Sequence, residues 1–513
     1  MSHLLLWPIV LPLLGAALAL FLEHRRFGWA ARRWAAWGML GLQGAAVAAM
    51  LARVTDGEVV AYLLGDWPAR LGIALMADRL SGWMLAVTWL LGAACLLYAC
   101  GGWDRRAPHF HAFFQLQLMG LNGAFLTGDV FNLFVFFEVM LSASYGLLAS
   151  GGRGLRLRGA FHYVAFNVAA SAVFLIALGL IYGLLGSLNM AELSARIGQV
   201  PPAQAGLVKA AFGLLLVVFC AKAALLPLYL WLPETYARAP AAVAALFAVM
   251  TKVGLYAVLR VSTLLLGTQA GLLAGFARPA LLWLGAGTLV VAALGVLGSA
   301  RLRLMVGYLV IWSAATLFVA FALGQAQTIG AGLYYLAHST FVAAALFLIA
   351  DLIRRRRGTA GDDKSIIAAL PGRAVPGTLF LIAAVSVAGL PPLSGFLAKA
   401  ALLSAVPPAQ TPLVWTMVLL SSLLVIIGLS RAGVRLFWRL PAQVEQAECE
   451  QPVPARARPQ ETWATVLLLA FGVAMTAFAA PLMRYTDATG QQLLDAAGYT
   501  DQLRAAPSVL RAP

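Results

Sequence analysis

Charge is scarce in this chain. Of 513 residues only 11% are charged, against 62% hydrophobic, whereas a soluble globular chain carries about 25% charged residues. So few charges cannot clothe a water-soluble protein of this length, which leaves a polytopic membrane protein. Cysteine is also sparse. Cys95, Cys100, Cys220 and Cys449 are too few and too scattered for a disulfide framework or a metal cluster. Cys95 and Cys100, inside an apolar stretch, read as small core residues. No Walker loop, no GxGxxG turn after a strand, no CxxC pair and no HExxH helix occurs, so the common signatures of nucleotide, redox and zinc chemistry are missing. His109, His111 and His162 lie near the ends of apolar runs and His338 stands alone, which offers no facing pair for haem. The sequence implies no cofactor, no metal and no enzyme.

Lysine is rare as well: only Lys209, Lys222, Lys252, Lys364 and Lys399 among 36 basic residues. The formal net charge of +16 would elsewhere raise nucleic acid as a partner. Here the arginines sit between apolar runs, which is how membrane topology is encoded.

A crossing helix needs roughly 20 apolar residues. Fourteen such runs are present, near 3–22, 31–52, 78–100, 111–127, 129–150, 160–186, 206–236, 240–266, 279–299, 303–323, 327–351, 374–406, 411–438 and 462–483. The expected fold is therefore all-α and polytopic, with about 14 transmembrane helices. Arg25, Arg26, Arg32 and Arg33 follow the first run, the reverse of a signal peptide, and are expected to hold the first loop in the cytoplasm. Loops on that side continue with Arg105, Arg106, Arg153, Arg156, Arg158, Arg238, Arg301, Arg303, Arg354 to Arg357, Lys364, Arg373, Arg431, Arg435, Arg439, Arg456 and Arg458. In all, 23 basic residues fall on this side and seven on the other, counting Arg53, Arg70, Arg79, Arg196, Lys209, Arg260 and Arg278. The split predicts an even number of spans with both termini extracytoplasmic.

Gly57 to Gly72, with Val59, Val60, Tyr62 and the Gly65-Asp66-Trp67-Pro68 turn signal, predicts a short extracytoplasmic hairpin. After Arg484 the sequence reads as an ordinary polar tail with a short helix around Gln491 to Ala497. Two spans are interrupted. The seventh contains Pro227 and Pro233, and the twelfth contains Gly389-Leu-Pro-Pro-Leu-Ser-Gly395 with Pro391 and Pro392, which no continuous helix accommodates. Broken backbone at membrane depth must be buried in protein or line a watery cavity. Pro227 follows the start of the fourth span, His111, at nearly the distance by which Pro391 follows the start of the ninth, Pro279. That is the pattern of an internally repeated transporter. It divides the chain into residues 1–110 (helices 1–3 and the hairpin), a first repeat at 111–267 (helices 4–8), a second at 278–440 (helices 9–13), and 441–513 (helix 14 and the tail).

Five ionisable residues lie well inside spans: Glu138, Lys222, Lys252, His338 and Lys399. Lys222 is 13 residues from Lys209 and 12 from Glu234, roughly 18 Å from either polar end at about 1.5 Å per residue. Snorkelling covers only part of that distance. The bland reading of each is a structural ion pair or a helix-packing polar group. For Lys252, eight residues from Arg260, it is snorkelling; for His338, a hydrogen-bonded core histidine. Taken together they point instead to a proton path, because intramembrane charges are costly and mark ion routes. Arg holds its proton at any usable pH, whereas a buried Lys can release it.

The residues around these charges carry a family resemblance. Asp129-Val-Phe-Asn-Leu-Phe-Val-Phe-Phe-Glu138 followed by Val-Met-Leu-Ser-Ala-Ser-Tyr145 closely resembles the fifth-span signature of the D subunits of the multisubunit (Mrp-type) cation/proton antiporters. That family belongs to the antiporter-like superfamily shared with membrane subunits of respiratory complex I. Lys222 to Pro227, Trp231-Leu-Pro-Glu-Thr-Tyr236, Thr251-Lys252-Val253 and Gly389 to Lys399 resemble further signatures, and the likeness runs from Asp78-Arg79-Leu80-Ser81 to about Arg439. The resemblance implies two inverted five-helix repeats. It implies that Glu138 and Lys222 form the coupled pair of the first half, Lys252 and His338 the central relay, and Lys399 the terminal proton carrier. His338 is the looser transfer. The tenth span, Arg301 to Ala315, departs from the commoner Ser-rich pattern of respiratory relatives and keeps no assigned role.

The leading function is a proton-translocating subunit of a bacterial inner-membrane Na+ or K+/proton antiporter, working in a hetero-oligomer with other antiporter subunits. The alternative is a proton-pumping membrane subunit of a complex I-like or hydrogenase redox enzyme. A third reading is an inactive scaffold. No multi-carboxylate site for Na+ is visible, which puts the cation path elsewhere in the complex or at a subunit interface.

Overall fold

The computed structural model describes residues 2–67, 72–152, 154–438 and 458–505. Pro68, Arg70, Arg153, Arg439, Cys449 and Arg456, which entered the readings above, lie outside the described residues.

The described chain is helical apart from one small hairpin. Its helices are α1 (Trp7–His24), α2 (Trp29–Val54), α3 (Arg79–Cys100), α4 (Phe110–Leu126), α5 (Val130–Ala149), α6 (Gly154–Leu185), α7 (Met190–Ile197), α8 (Pro202–Lys222) and α9 (Trp231–Arg238). They continue with α10 (Ala241–Phe247), α11 (Met250–Arg260), α12 (Arg278–Gly298), α13 (Leu302–Ala322), α14 (Ala326–Arg356), α15 (Ala374–Ala388), α16 (Ser394–Ser404) and α17 (Thr411–Gly433). The last three are α18 (Pro459–Ala477), α19 (Ala479–Leu494) and α20 (Ala496–Ala505).

Among the described residues, 11 helical segments are long and apolar enough to cross a membrane, or 12 counting α18 with α19, which meet at 83°. The fourth apolar run is a 17-residue helix, α4, and the twelfth is split into the short α15 and α16.

Local chemistry sets the boundaries. Asp78 caps α3 by accepting the Ser81 N–H at 2.9 Å, Asp129 caps α5 by accepting the Asn132 N–H at 2.8 Å, and Asn189 caps α7 through Ala191 and Glu192. Proline opens α8, α12, α17 and α18, where its missing N–H costs nothing. Gly389 stops α15 in the left-handed conformation at φ 75°, the usual glycine C-cap, with prolines just beyond.

The helices α10 with α11, and α14 between its end turns, are buried, and α13 nearly so. They form the centre. α1, α2, α6, α12 and α17 ring them with exposed apolar side chains such as Leu14, Ile176, Trp283 and Leu423. Cys95, Cys100 and Cys220 are buried free thiols.

The hairpin exists but is displaced. β1 (Val60–Leu63) pairs antiparallel with β2 (Ala74–Ala77), Val60 opposite Ala77, so its second strand begins after Gly72. β2 is buried throughout, and a fully buried strand lacks the alternation by which a strand is recognised. The end of the chain also differs from expectation. Far from an ordinary tail, α19 packs along α14 and α3, with Thr486, Thr489 and Gly490 buried. Gln492 accepts the Arg79 N–H at 3.1 Å and donates to the Gly57 carbonyl at 3.0 Å.

Candidate functional site

The first cluster joins three helices. Glu138 lies on α5, on a face it shares with the exposed Phe131, Val135 and Ser142 and itself half-buried. α6 presents the buried Ser171, whose hydroxyl donates to Glu138 Oε1 in a short hydrogen bond. Lys222 is the last residue of α8, and its Nζ lies 3.5 Å from Ser171 Oγ. Glu138 and Lys222 are thus coupled through a hydroxyl rather than by contact. The break after Lys222 leaves a helix C-terminus inside the molecule, where a cation is favoured. The Phe137 ring, 5.1 Å from Nζ, adds a cation–π contact. Trp231 of α9 reaches across the break to the Ala221 carbonyl at 3.1 Å, satisfying one of the orphaned acceptors.

Lys252 sits at the centre, with no solvent exposure. Its Nζ donates to Ser313 Oγ of α13 at 2.9 Å, and Ser313 donates onward to the Val310 carbonyl at 2.8 Å. It does not snorkel towards Arg260. Arg260, counted above as a charge near a helix end, is buried and paired with Asp78 at 2.6 and 2.9 Å. The two side chains form a buried ion pair, each supplying the counterion that the other needs away from water. Gly254 lets α11 lie against the end of α8, since a Cβ there would stand 2.9 Å from Ala223 N and from the Phe219 carbonyl.

The second broken helix holds Lys399. From α16 its Nζ donates to the Val387 and Ala388 carbonyls at 3.1 and 2.9 Å and to Ser422 Oγ at 3.3 Å. Those carbonyls end α15, so this lysine too faces a helix C-terminus made by a break. The Trp312 ring lies 4.5 Å from Nζ and is pinned by its own N–H to Ser421 Oγ at 3.0 Å. Lys399 lines a cavity of about 490 Å³ between α15, α16 and α17, together with Leu390, Phe396 and Trp415. His338 of α14 is buried, its Nδ1 2.9 Å from Ser394 Oγ at the start of α16, the helix that carries Lys399.

All five predicted residues lie in helices at or beside the core, and the structure groups them as Glu138 with Lys222 and His338 with Lys399. No direct hydrogen bond joins Lys222 to Lys252, or Lys252 to His338, among the described residues. Pro227 lies between α8 and α9, and Pro391 and Pro392 lie between α15 and α16. Sequence reasoning missed the hydroxyls Ser171, Ser313, Ser394 and Ser422. It also left the tenth span without a role, although Ser313 and Trp312 there serve Lys252 and Lys399. A serine in an apolar helix carries no sign of which neighbour it faces.

Fold and site together define a polytopic helical membrane protein with ionisable side chains held in its core at broken helices. Residues 127–425 match the family described as NADH:quinone oxidoreductase/Mrp antiporter, TM, and the chain belongs to that family. It is 39% identical to the probable K(+)/H(+) antiporter D subunit of Rhizobium meliloti, over 99% of this chain and 98% of the relative. It is 34% identical to the Na(+)/H(+) antiporter D subunit of Alkalihalophilus pseudofirmus, over 98% and 99%. Among solved structures it is similar to a chain of the Mrp complex from Dietzia sp., with TM-score 0.85, 26% identity and coverage of 98% and 99%. A chain of respiratory complex I from Thermus thermophilus, with TM-score 0.75, 23% identity and coverage of 96% and 99%, shares the fold.

Proposed function

We propose that this chain is the proton-translocating subunit of a multisubunit Na+ or K+/proton antiporter in a bacterial inner membrane, working with other antiporter subunits rather than as an enzyme. The observation that carries this reading is the Glu138–Ser171–Lys222 bridge. A hydroxyl that donates to a carboxylate and accepts from an ammonium can pass a proton from one to the other without either side chain moving. Lys222 gives a proton to Ser171 Oγ while Ser171 gives its own to Glu138, and rotation of the hydroxyl resets the bridge.

Lys252 and His338 then serve as central relay positions and Lys399 as the terminal carrier of the second half. Water or side-chain motion carries the proton across the steps without direct bonds. Ser313 is a positioning residue, because its proton is committed to a carbonyl that cannot keep one. The overall architecture in this reading is fourteen spans with two inverted five-helix repeats at 111–267 and 278–440, flanked by 1–110 and 441–513. The arginine-rich side is cytoplasmic and both termini are extracytoplasmic. Full-length similarity to antiporter D subunits at 34–39% identity supports this over a redox-driven pump. The names of those relatives divide between K+ and Na+, and the cation follows from measurement.

The test is expression of the whole subunit set in an antiporter-deficient bacterium, with cation-dependent pH changes read in inverted vesicles. Glu138→Ala and Lys222→Ala are each expected to abolish exchange. Full activity in either overturns the relay.

A further inference from the structure

The cavity beside Lys399 is amphiphilic in its lining. Its volume of about 490 Å³ is that of a small-ligand site, about 300–1,000 Å³. Leu390, Phe396, Trp415, Leu419 and Leu423 line it and are each 40–52% exposed, so it opens on an apolar outer surface. Two polar groups in its wall are committed to carbonyls: the Trp415 N–H donates to Leu403 at 3.0 Å and the Ser404 hydroxyl to Ala401 at 3.0 Å. The polar end of Lys399 lies at the wall itself. Its Nζ donates to the Ala388 carbonyl at 2.9 Å and to Ser422 Oγ at 3.3 Å, and a Cβ on Gly389 would stand 3.0 Å from it. Ala388, Gly389 and Ser422 all line the cavity. Ser422 makes no other hydrogen bond among the described residues, so its own proton is uncommitted.

One amine and one hydroxyl among hydrocarbon call for a ligand with a single small polar head and an apolar body. Depth narrows the head further. Ser422 stands midway along α17, roughly 16 Å from either end at about 1.5 Å per residue. A phosphate headgroup carries a fixed charge, which is costly so far into a membrane. A carboxylic acid is neutral while protonated, crosses hydrocarbon in that form, and takes up its charge only against a cation.

We propose that this cavity binds a long-chain fatty acid, its carboxyl against Lys399 Nζ and the Ser422 hydroxyl and its chain along the apolar walls of α16 and α17. Carboxylic acid with neutral lysine and carboxylate with ammonium hold the same number of protons, so the site accepts the ligand whether or not Lys399 has released its own. In the relay reading above, occupancy withdraws Lys399 from proton carriage; the site itself stands on the cavity and does not need that reading. Its test is photo-cross-linking of the whole complex in membrane vesicles with a diazirine-bearing palmitic acid, the labelled peptides mapped by mass spectrometry. Unlabelled palmitic acid, methyl palmitate and phosphatidylglycerol serve as competitors in separate arms.

Wild type is expected to show saturable labelling of α16 and α17, displaced by palmitic acid at about tenfold lower concentration than by methyl palmitate, the share of a hydrogen bond to a charged group. Lys399→Met is expected to abolish that preference for the acid. Leu419→Trp, at an exposed position in the wall, fills the cavity and is expected to lose the labelling, whereas Leu175→Trp on the exposed face of α6 leaves it unchanged. Wild-type labelling in Leu419→Trp overturns the proposal. So does displacement by methyl palmitate or phosphatidylglycerol at the same concentration as by palmitic acid, which makes the cavity a seat for any hydrocarbon chain.

Discussion

Ser171 makes one hydrogen bond to each of Glu138 and Lys222, and among the described residues no direct hydrogen bond joins the two. Ser171→Ala removes the bridge while leaving Glu138 and Lys222 in place. Vesicle exchange is expected to fall by about 100-fold, in line with the share of rate a positioned proton-transfer group supplies, with assembled complex at wild-type levels and partial recovery in Ser171→Thr. Unchanged exchange in the alanine variant would make the serine a packing residue. Arg260 has a different job: it neutralises the buried Asp78 that caps α3. Arg260→Ala strands that carboxylate and is expected to cost about 3–5 kcal/mol in thermal unfolding of the complex, with part regained in Arg260→Ala/Asp78→Asn. Asp104 gives a pH signature. It is buried and accepts from Arg33 at 2.6 and 2.8 Å. Burial works against its charge, but the His111 ring, 3.6 Å away, and the Arg33 guanidinium outweigh that and bring its pKa down to about 2. Its contribution is therefore present above the unfolded carboxyl pKa and lost as pH falls through about 2. Wild type is expected to melt above Asp104→Asn at pH 7, and the gap to close below about pH 4.

At the scale of elements, the two breaks do the same thing. Each ends a half-helix inside the molecule and sets a lysine against its carbonyl end: Lys222 at the end of α8, Lys399 reaching the end of α15. These breaks were legible in the sequence because proline and glycine act on their own backbone. The intramembrane charges were legible because their burial is costly enough to be conspicuous. The hydroxyls were silent, since a serine's partner is decided by which helix packs opposite. The course of α19 was hidden for a similar reason: its buried face of Thr486, Thr489 and Gly490 looks polar and small, and only contact with α14 makes it a packing surface. Gly254 is the corresponding packing device between α8 and α11. Gly254→Val is expected to cost about 1–3 kcal/mol, to lower the melting temperature of the complex and to depress exchange, because it pushes Lys252 away from Lys222. A variant with unaltered melting and exchange would show that the two helices need not touch.

For the whole molecule, residue type divides the charge. Arginine dominates the loops, which is the basis of the proposed orientation, while three of the five lysines stand in the core. The orientation predicts that, with native cysteines replaced by serine, Arg105→Cys is labelled by an impermeant thiol reagent only in inverted vesicles and Asp56→Cys only in intact cells. The reverse pattern would turn the molecule over. That lysine in particular is needed to carry protons is the central claim, and Lys222→Arg and Lys399→Arg test it most directly, because arginine keeps the charge but does not release the proton. With the full subunit set in inverted vesicles, the account predicts assembled complexes with near-complete loss of cation-dependent proton movement in both variants. Exchange at the wild-type rate in either would contradict it.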